Sequence, residues 1–292
     1  MSDHENTPSC SVVIPAYNEE GTIAATLNAL LQSAHPDEFD VIVVCNGCVD
    51  NTVEVARMAA PNARIIDLKT ASKTAALNAG IAAARHNSVV LLDADIKTTA
   101  EAVRVLVRFL AVQDADLAYG NAHFNTERCS GPVRAFYGAW QQNSYFDRRK
   151  VGGFFALSLR GLNRLGTFPE TTNDDEYVRR KLIDNSIFVQ VAHYVVEAPR
   201  TLGNLIRVRS RVYRGNAELE DINVGFSLSA RLKNYYNFVK RILARPNLWI
   251  GASVFSVVAV AAHLRNRIPK QRVVHWEQDR STRSVFRKLR KP

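Results

Sequence analysis

The sequence predicts an α/β fold in which a mostly parallel sheet is flanked by helices. In the first 120 residues, short β-branched runs alternate with segments whose apolar residues recur at helical spacing. Four repeats of strand and helix are typical of a parallel sheet with helices on both faces. With 292 residues, 47% of them hydrophobic, the chain can bury a large core.

The predicted strands are short apolar runs, at residues 11–14, 41–45, 64–68, 88–93 and 117–120. Helical faces between them are formed by Ile23, Leu27, Leu30 and Leu31, by Leu77, Ile81 and Ala84, and by Val103, Leu106, Val107 and Leu110. Beyond residue 120 the alternation stops, and helices are expected near 133–148, 227–243 and 248–264. We therefore expect three parts: 1–120, 121–226 and 227–292.

Polar loops follow the first four strands, where loops of a parallel sheet converge on a ligand. They are PAYNEE at 15–20, NGCVDNT at 46–52, SK at 72–73 and DAD at 93–95. Neither GxGxxG nor GxxxxGK[ST] is present, which argues against a dinucleotide fold and a P-loop. Asp93 and Asp95 have i, i+2 spacing and present two hard oxygen ligands to one Mg²⁺ or Mn²⁺. Such a pair can also be a solvated strand end.

The ordered motifs resemble those of family 2 glycosyltransferases with the GT-A fold, over residues 10–215. They are VVIPAYNEE, NGCVDNT, SKTAALNAG, LLDAD, GGFFALS and DDEYV. The chain is most similar to bacterial, non-processive, inverting members that build polysaccharides or glycolipids. The resemblance implies a nucleotide-sugar-binding part at 1–120 and an acceptor-binding and catalytic-base part at 121–226, while helical periodicity and charge predict C-terminal helices with a basic tail at 227–292.

The resemblance also implies roles for single residues. The implied donor-site residues are Pro15, Ala16, Tyr17, Glu19, Asn46, Asp50, Lys73, Asp93, Ala94, Arg211 and Arg214. Asp95, with Asp93, would hold Mn²⁺ or Mg²⁺, and Asp175 matches the catalytic base. Gly152, Gly153 and Asp174 would contact the acceptor, a saccharide or a lipid-linked hydroxyl compound. Asp174, Asp175 and Glu176 also suit the acidic first turn of a helix.

Two departures from the family pattern narrow these implications. Asn46 stands where members often have an aspartate that reads uracil, so a uridine donor is not implied. The QxxRW motif is absent, because Val208 and Val212 occupy its Gln and Trp positions, which argues against a processive synthase.

Three alternatives remain open from the residues. A sugar-phosphate nucleotidyltransferase shares the sheet and metal, but it normally opens with a glycine-rich loop, which IPAYNEE is not. A binding module with a basic tail is disfavoured by the intact Asp93, Asp95 and Asp175. Cys45 and Cys48 form a C-x-x-C pair, for which a redox or zinc role competes with an ordinary strand-to-loop position.

The net charge of +10 is concentrated at one end of the chain. Residues 265–292 hold ten basic and two acidic side chains, a net +8, which leaves a nearly neutral body unlike a nucleic-acid binder. The N-terminus shows no targeting signal, so we expect a cytoplasmic protein. The apolar run 248–264 is short for a membrane span. It is either a core helix or, with the basic tail, a peripheral contact with the anionic inner face of a membrane.

Overall fold

The computed structural model describes residues 9–143, 146–147, 150–221 and 228–267. By packing, the chain forms two units, each made of two stretches. The first is Met1–His123 with Val151–Val196, and the second is Phe124–Lys150 with Glu197–Pro292. The functional parts 1–120, 121–226 and 227–292 stay a prediction, because packing does not test their roles.

The strands, in chain order, are β1 Cys10–Ala16, β2 Phe39–Asn46, β3 Arg64–Leu68, β4 Ser88–Leu92, β5 Ile96–Thr98, β6 Leu117–Asn125, β7 Phe154–Leu157 and β8 Ser186–Glu197. Among the described residues they form one sheet of eight strands in the order β3-β2-β1-β4-β7-β6-β8-β5. β1 pairs in parallel with β2 and β4, and β2 with β3. β7 is antiparallel to β4 and β6, and β5 to β8.

The helices, in chain order, are α1 Ile23–Leu31, α2 Thr52–Ala59, α3 Lys73–Ala83, α4 Ala100–Val112, α5 Gly131–Trp140, α6 Leu159–Leu165, α7 Asp174–Leu182, α8 Leu202–Asp221, α9 Leu228–Leu243 and α10 Trp249–Arg267. One face of the sheet is covered by α1, α2 and α4, whose buried residues share a core with Val12 and Ile14. The other face is covered by α3, where a side chain at Gly80 would overlap Val13 of β1. This arrangement confirms the predicted α/β fold.

The order β3-β2-β1-β4 places a topological switch point between β1 and β4, where chain crossovers diverge to opposite sides. The β1–β4 pairing ends at Val13 and Leu91, so Pro15 lies in the strand beyond the last pair with β4. A proline without an N–H is tolerated there, because no partner on that side needs its donor. The carboxyl ends of β1 and β4 therefore open a crevice.

Sequence periodicity misplaced or missed several elements. The helix expected at 133–148 ends at Trp140, and residues 141–143 form a turn. The helix expected at 248–264 runs to Arg267, so the run is not too short: Pro246–Asn266 is long and apolar enough to cross a membrane by length and composition. The strand β8 was missed, because its exposed and buried positions do not alternate along its whole length.

In the second unit, α5, α8 and α10 pack around Val133, Phe136, Leu205 and Val258. A smaller cluster joins α9 to α5 and α10 through Phe238, Ile242 and Ala139. The middle of α8 carries four arginines: Arg207, Arg209, Arg211 and Arg214.

Candidate active site

The loops after β1 and β2 are held together by side-chain bonds to backbone groups. The N–H of Glu19 donates to Thr52 Oγ1 at 2.7 Å, and the N–H of Val49 donates to Asn18 Oδ1 at 2.8 Å. Asn18 has a φ of 50°, a left-handed conformation that Asn tolerates well. These bonds fix the two loops that were predicted to line a nucleotide pocket.

Asn46, at the end of β2, is buried and half satisfied. Its Nδ2 donates to the carbonyl of Ala16 at 2.9 Å, while its Oδ1 has no hydrogen-bond partner among the described residues. A buried acceptor without a partner costs about 1–3 kcal/mol. Such a group is retained where a ligand supplies the missing donor, so Asn46 is a candidate ligand contact.

The two cysteines of the C-x-x-C pair meet at Ala16. Cys45 is the ladder neighbour of Ala16, and the Cys48 thiol donates to the Ala16 carbonyl at 3.5 Å. A hydrogen bond from Cys45, opposed by burial, lowers the pKa of Cys48 to about 7. The described residues contain no group of three or more His, Cys, Asp or Glu side chains that could hold a metal ion, so the zinc alternative receives no support here.

Lys73, the first residue of α3, connects two acidic side chains from different elements. Its Nζ lies 2.6 Å from Asp93 Oδ1 and 2.9 Å from Asp174 Oδ2. Ser72 caps α3 by accepting a hydrogen bond from the N–H of Ala75, which fixes the start of the helix and hence the position of Lys73. The end of β4 and the start of α7 are thus joined through one ammonium group.

Each of these charged groups shifts the pKa of its neighbours. Burial acts to lower the pKa of Lys73, but the charges of Asp174 and Asp93 outweigh it, so the pKa of Lys73 is raised. Burial raises the pKa of Asp93 to about 6, against the charge of Lys73 and together with the charges of Asp174 and Asp95. The ammonium is therefore held as a cation between two carboxylates, and it fixes the position of Asp93 relative to Asp174.

Gly153 makes room for Asp93. The N–H of Asp93 donates to the Gly153 carbonyl at 2.8 Å, and a Cβ at Gly153 would overlap the Asp93 carboxylate. The missing side chain of Gly153 leaves room for the Asp93 carboxylate, and its contact with the acceptor stays a prediction. Gly152 is buried beside it, and its acceptor role stays a prediction.

The three carboxylates at the start of α7 have different partners. Asp174 pairs with Lys73, and Glu176 forms buried ion pairs with Arg179 and Arg180 at 2.7 Å and 2.8 Å. Burial acts to raise the pKa of Glu176, but hydrogen bonds and charges from Arg179 and Arg180 outweigh it, so the pKa is lowered. Asp175 is half-buried, and its Oδ1 accepts the N–H of Glu176 at 2.8 Å. Glu176 is thus a structural group of the helix.

Asp95 is exposed at the carboxyl end of β4, two residues after Asp93. Mg²⁺ and similar ions are commonly held by one or two protein carboxylates, with substrate phosphates and water completing the shell. The pair Asp93 and Asp95 fits that donor set. The buried Ala94 between them accepts a hydrogen bond from Thr26 through its carbonyl at 2.8 Å, which fixes the turn.

Sequence reasoning missed two residues near these carboxylates. Asn78 of α3 exchanges two hydrogen bonds with the backbone of Phe168, which anchors the segment before α7. Tyr194 of β8 is buried against Phe154, and its hydroxyl has no hydrogen-bond partner among the described residues. Burial, with the charges of Asp175 and Asp93, raises the pKa of Tyr194, so the phenol stays protonated beside them. Asn78 lay within the quoted SKTAALNAG motif; Tyr194 had no sequence signal.

The other predicted site residues are placed as follows. Pro15 and Ala16 are buried at the end of β1, and Tyr17 and Asp50 are half-buried in the first two loops. Asp50 Oδ1 accepts the N–H of Thr52 at 3.1 Å, so it also shapes its own loop. Arg211 and Arg214 lie on α8 in the second unit, and their contact with a diphosphate stays a prediction.

Comparisons with known proteins agree with this description. The profile of glycosyl transferase family 2 matches residues 11–156, half of the chain. The glycosyltransferase AglE of Haloferax volcanii is 28% identical over 226 residues, which cover 73% of this chain and 74% of that protein. The undecaprenyl-phosphate 4-deoxy-4-formamido-L-arabinose transferase of Edwardsiella ictaluri is 28% identical over 114 residues, which cover 37% of this chain and 35% of that protein.

Among solved structures, the mannosyltransferase PcManGT from Pyrobaculum calidifontis, in complex with GDP-Man and Mn²⁺, superposes with a TM-score of 0.61. The match covers 91% of this chain and 89% of that one at 18% identity, so it supports a shared fold of the GT-A type. The chain belongs to glycosyl transferase family 2.

Proposed function

We propose that this member of glycosyl transferase family 2 moves a sugar, with inversion, from a nucleoside diphosphate sugar to a hydroxyl group of a saccharide or a lipid-linked acceptor. One observation carries the proposal: Lys73 joins Asp93, on the proposed donor side, to Asp174, the neighbour of the proposed base Asp175. Inverting transfer requires a donor site and a base on opposite sides of one sugar carbon. The family also disfavours the nucleotidyltransferase alternative.

In the proposed reaction, Asp175 accepts the proton of the acceptor hydroxyl while that oxygen attacks the anomeric carbon. General-base catalysis of this kind contributes about 10²–10⁴-fold in rate. The half-buried Asp175 is held by the N–H of Glu176, which orients its carboxylate without neutralising it. Lys73, fixed as a cation, adds positive charge where the diphosphate leaves.

Mn²⁺ or Mg²⁺, when bound, neutralises and orients the leaving diphosphate. Asp95 and Asp93 are the residues that would hold it. Two relatives motivate the partners: one is solved with GDP-Man and Mn²⁺, and the other is named for transfer to undecaprenyl phosphate. For this chain the ion, the donor and the acceptor are part of the proposal.

Asn46 supports a prediction about the donor base. Its buried Oδ1 is an acceptor, and the ring N–H groups of guanine and uracil are matching donors. Adenine and cytosine can supply a donor through their exocyclic amino groups. We therefore expect Asn46 to accept a hydrogen bond from the donor base, and a panel of nucleoside diphosphates is needed to identify that base.

The test is thermal unfolding of the full chain with a panel of the four nucleoside diphosphates, in Mn²⁺ and in EDTA. A metal-dependent rise in melting temperature with one of them supports the donor site. The nucleotide sugar of that base should then release nucleoside diphosphate slowly to water, and faster with the true acceptor. Binding without any release would favour the binding-module alternative, and no binding in the whole panel would refute the transferase proposal.

A further inference from the structure

Exposed apolar side chains are concentrated on two helices of the second unit. On α9, the exposed Leu232, Tyr235, Tyr236 and Leu243 have spacings of three, four and seven residues, which place them on one helical face. The neighbouring face of α9 packs inward through Phe238, whose ring lies 5.1 Å from that of Phe255 on α10. An amphipathic helix of a soluble protein would carry polar residues on its outward face.

On α10, one face packs and the other does not. Gly251 lies so close to α5 that a Cβ would overlap the Ala135 carbonyl, and Val258 and Ala262 are fully buried. The outward face carries Trp249, Ile250, Val257, Val260 and Leu264, all exposed. Only 17% of the apolar window in this helix is buried. One face of α10 therefore packs as a core helix does, and the other face is free to contact a membrane.

The packed face decides how α10 can meet a membrane. Ser210 Oγ on α8 donates to the Ala262 carbonyl at 3.3 Å, and Asn266 Nδ2 donates to the Ser210 carbonyl at 2.9 Å. Tyr213 of α8 also stacks on His263, with ring centroids 4.5 Å apart. A spanning α10 would have to carry the polar surface of α8 into hydrocarbon or leave these contacts. The helix therefore suits a position along the membrane surface.

We propose that the outward faces of α9 and α10 form one surface that lies in the interfacial region of an anionic bilayer. The two faces meet at the turn between the helices, where Leu243, Trp249 and Ile250 are exposed and the Trp249 indole donates to the Ile242 carbonyl at 3.1 Å. Tyrosine and tryptophan are the residues enriched at membrane interfaces. Leucine, isoleucine and valine supply the apolar area that inserts.

Charge favours an anionic bilayer over a second copy of the chain. Lys233, Lys240 and Arg245 are exposed on or just after α9. The ten basic residues of 265–292 begin within α10, although residues beyond 267 lie outside the described part. Basic groups near an anionic surface contribute about 1 kcal/mol each, whereas two copies would bring like charges together. The aromatic residues of the tail, Trp276 and Phe286, also lie outside the described residues.

The experiment is co-sedimentation of the full chain with vesicles of phosphatidylcholine, with and without phosphatidylglycerol. The test variant is Leu243→Glu with Ile250→Glu, which are 65% and 75% exposed. The matched control is Met58→Glu with Val112→Glu, which are 74% and 73% exposed in the first unit. We expect the wild type and the control to bind anionic vesicles within two-fold of each other. The test variant should bind anionic vesicles at least about ten-fold more weakly than the wild type.

Several outcomes overturn the proposal. Absence of wild-type binding to anionic vesicles refutes the surface, and equal loss in test and control variants refutes its location. Unfolding of the test variant would show that the two side chains pack inside the protein. A wild-type dimer that the test variant dissolves, with no vesicle binding, would assign the surface to a second copy. Resistance to carbonate extraction from cell membranes would mean that α10 spans. None of these measurements depends on sugar transfer, so they leave the proposed function untouched.

Discussion

Lys73 Nζ lies 2.9 Å from Asp174 Oδ2, and this contact joins the first turn of α3 to the first turn of α7. The side chains are 12% and 10% exposed, so both charges are largely out of water. The same ammonium contacts Asp93. A single lysine therefore compensates two carboxylates on which the proposed donor side and the proposed base side are built.

We predict that Lys73→Met lowers the free energy of unfolding by about 3 kcal/mol, because removing one partner of a buried ion pair leaves the others uncompensated. Urea denaturation measures the change. Adding Asp174→Asn to this variant should recover part of the loss, since it removes one of two like charges. Lys69→Met, at an exposed position just after β3, is the control. If Lys73→Met lowered the free energy of unfolding by less than the control does, the ion pairs of Lys73 would contribute nothing to stability.

We predict that Asp175→Asn reduces turnover about 10²–10⁴-fold and leaves the donor dissociation constant within two-fold, because a base acts on the acceptor. The measurements are nucleoside diphosphate release and direct binding of the donor. Asp174→Asn is the informative comparison, since it should lower stability through Lys73. If Asp175→Asn lost donor binding, Asp175 would belong to the donor site.

Asp95→Ala should weaken nucleoside diphosphate binding in Mn²⁺ and leave it unchanged in EDTA, because the exposed carboxylate is proposed to hold the ion and not the nucleotide. Isothermal titration under both conditions gives the comparison. Glu54→Ala, an exposed acid on α2, serves as the control. Equal weakening with and without metal would show that Asp95 is not a metal ligand.

Tyr194→Phe should raise the free energy of unfolding by about 1 kcal/mol, because it removes a buried hydroxyl without a hydrogen-bond partner. The matched variant Tyr177→Phe should lower it by a similar amount, since the Tyr177 hydroxyl donates to the Leu165 carbonyl at 3.3 Å. Chemical denaturation of both variants tests the pair. A Tyr194→Phe variant less stable than wild type would mean that the hydroxyl is satisfied in solution.

Cys48 should be alkylated by iodoacetamide before Cys10, Cys45 and Cys129, which are buried. Its pKa of about 7 makes the thiolate abundant near neutral pH, so the rate should reach half its maximum there. Cys45→Ala removes the hydrogen bond that most lowers this pKa and should move the profile to higher pH. Mass spectrometry locates the modified residue. An unchanged profile in Cys45→Ala would contradict the inferred hydrogen bond between the two thiols.

The sequence was sufficient to predict those elements whose hydrophobic pattern is local. The strands β1, β2 and β4 were predicted nearly to their ends, because buried parallel strands are continuous apolar runs bounded by polar loops. The converging loops were predicted for the same reason, and the family that their motifs resembled is confirmed. β8 was not predicted, because its buried and exposed positions follow no single period along its twelve residues.

The candidate site divides in the same way. The sequence by itself determined which residues are available: the acidic pair after β4, the lysine that begins α3 and the carboxylates that begin α7. Only the tertiary structure decided their partners. It assigned Lys73 to both Asp93 and Asp174, and Gly153 to making space for Asp93. Such pairings depend on distances between elements far apart along the chain, which local periodicity and spacing do not encode. The same holds for α10, whose composition is apolar throughout: the packing of α5 and α8 on one face decided which residues remain exposed.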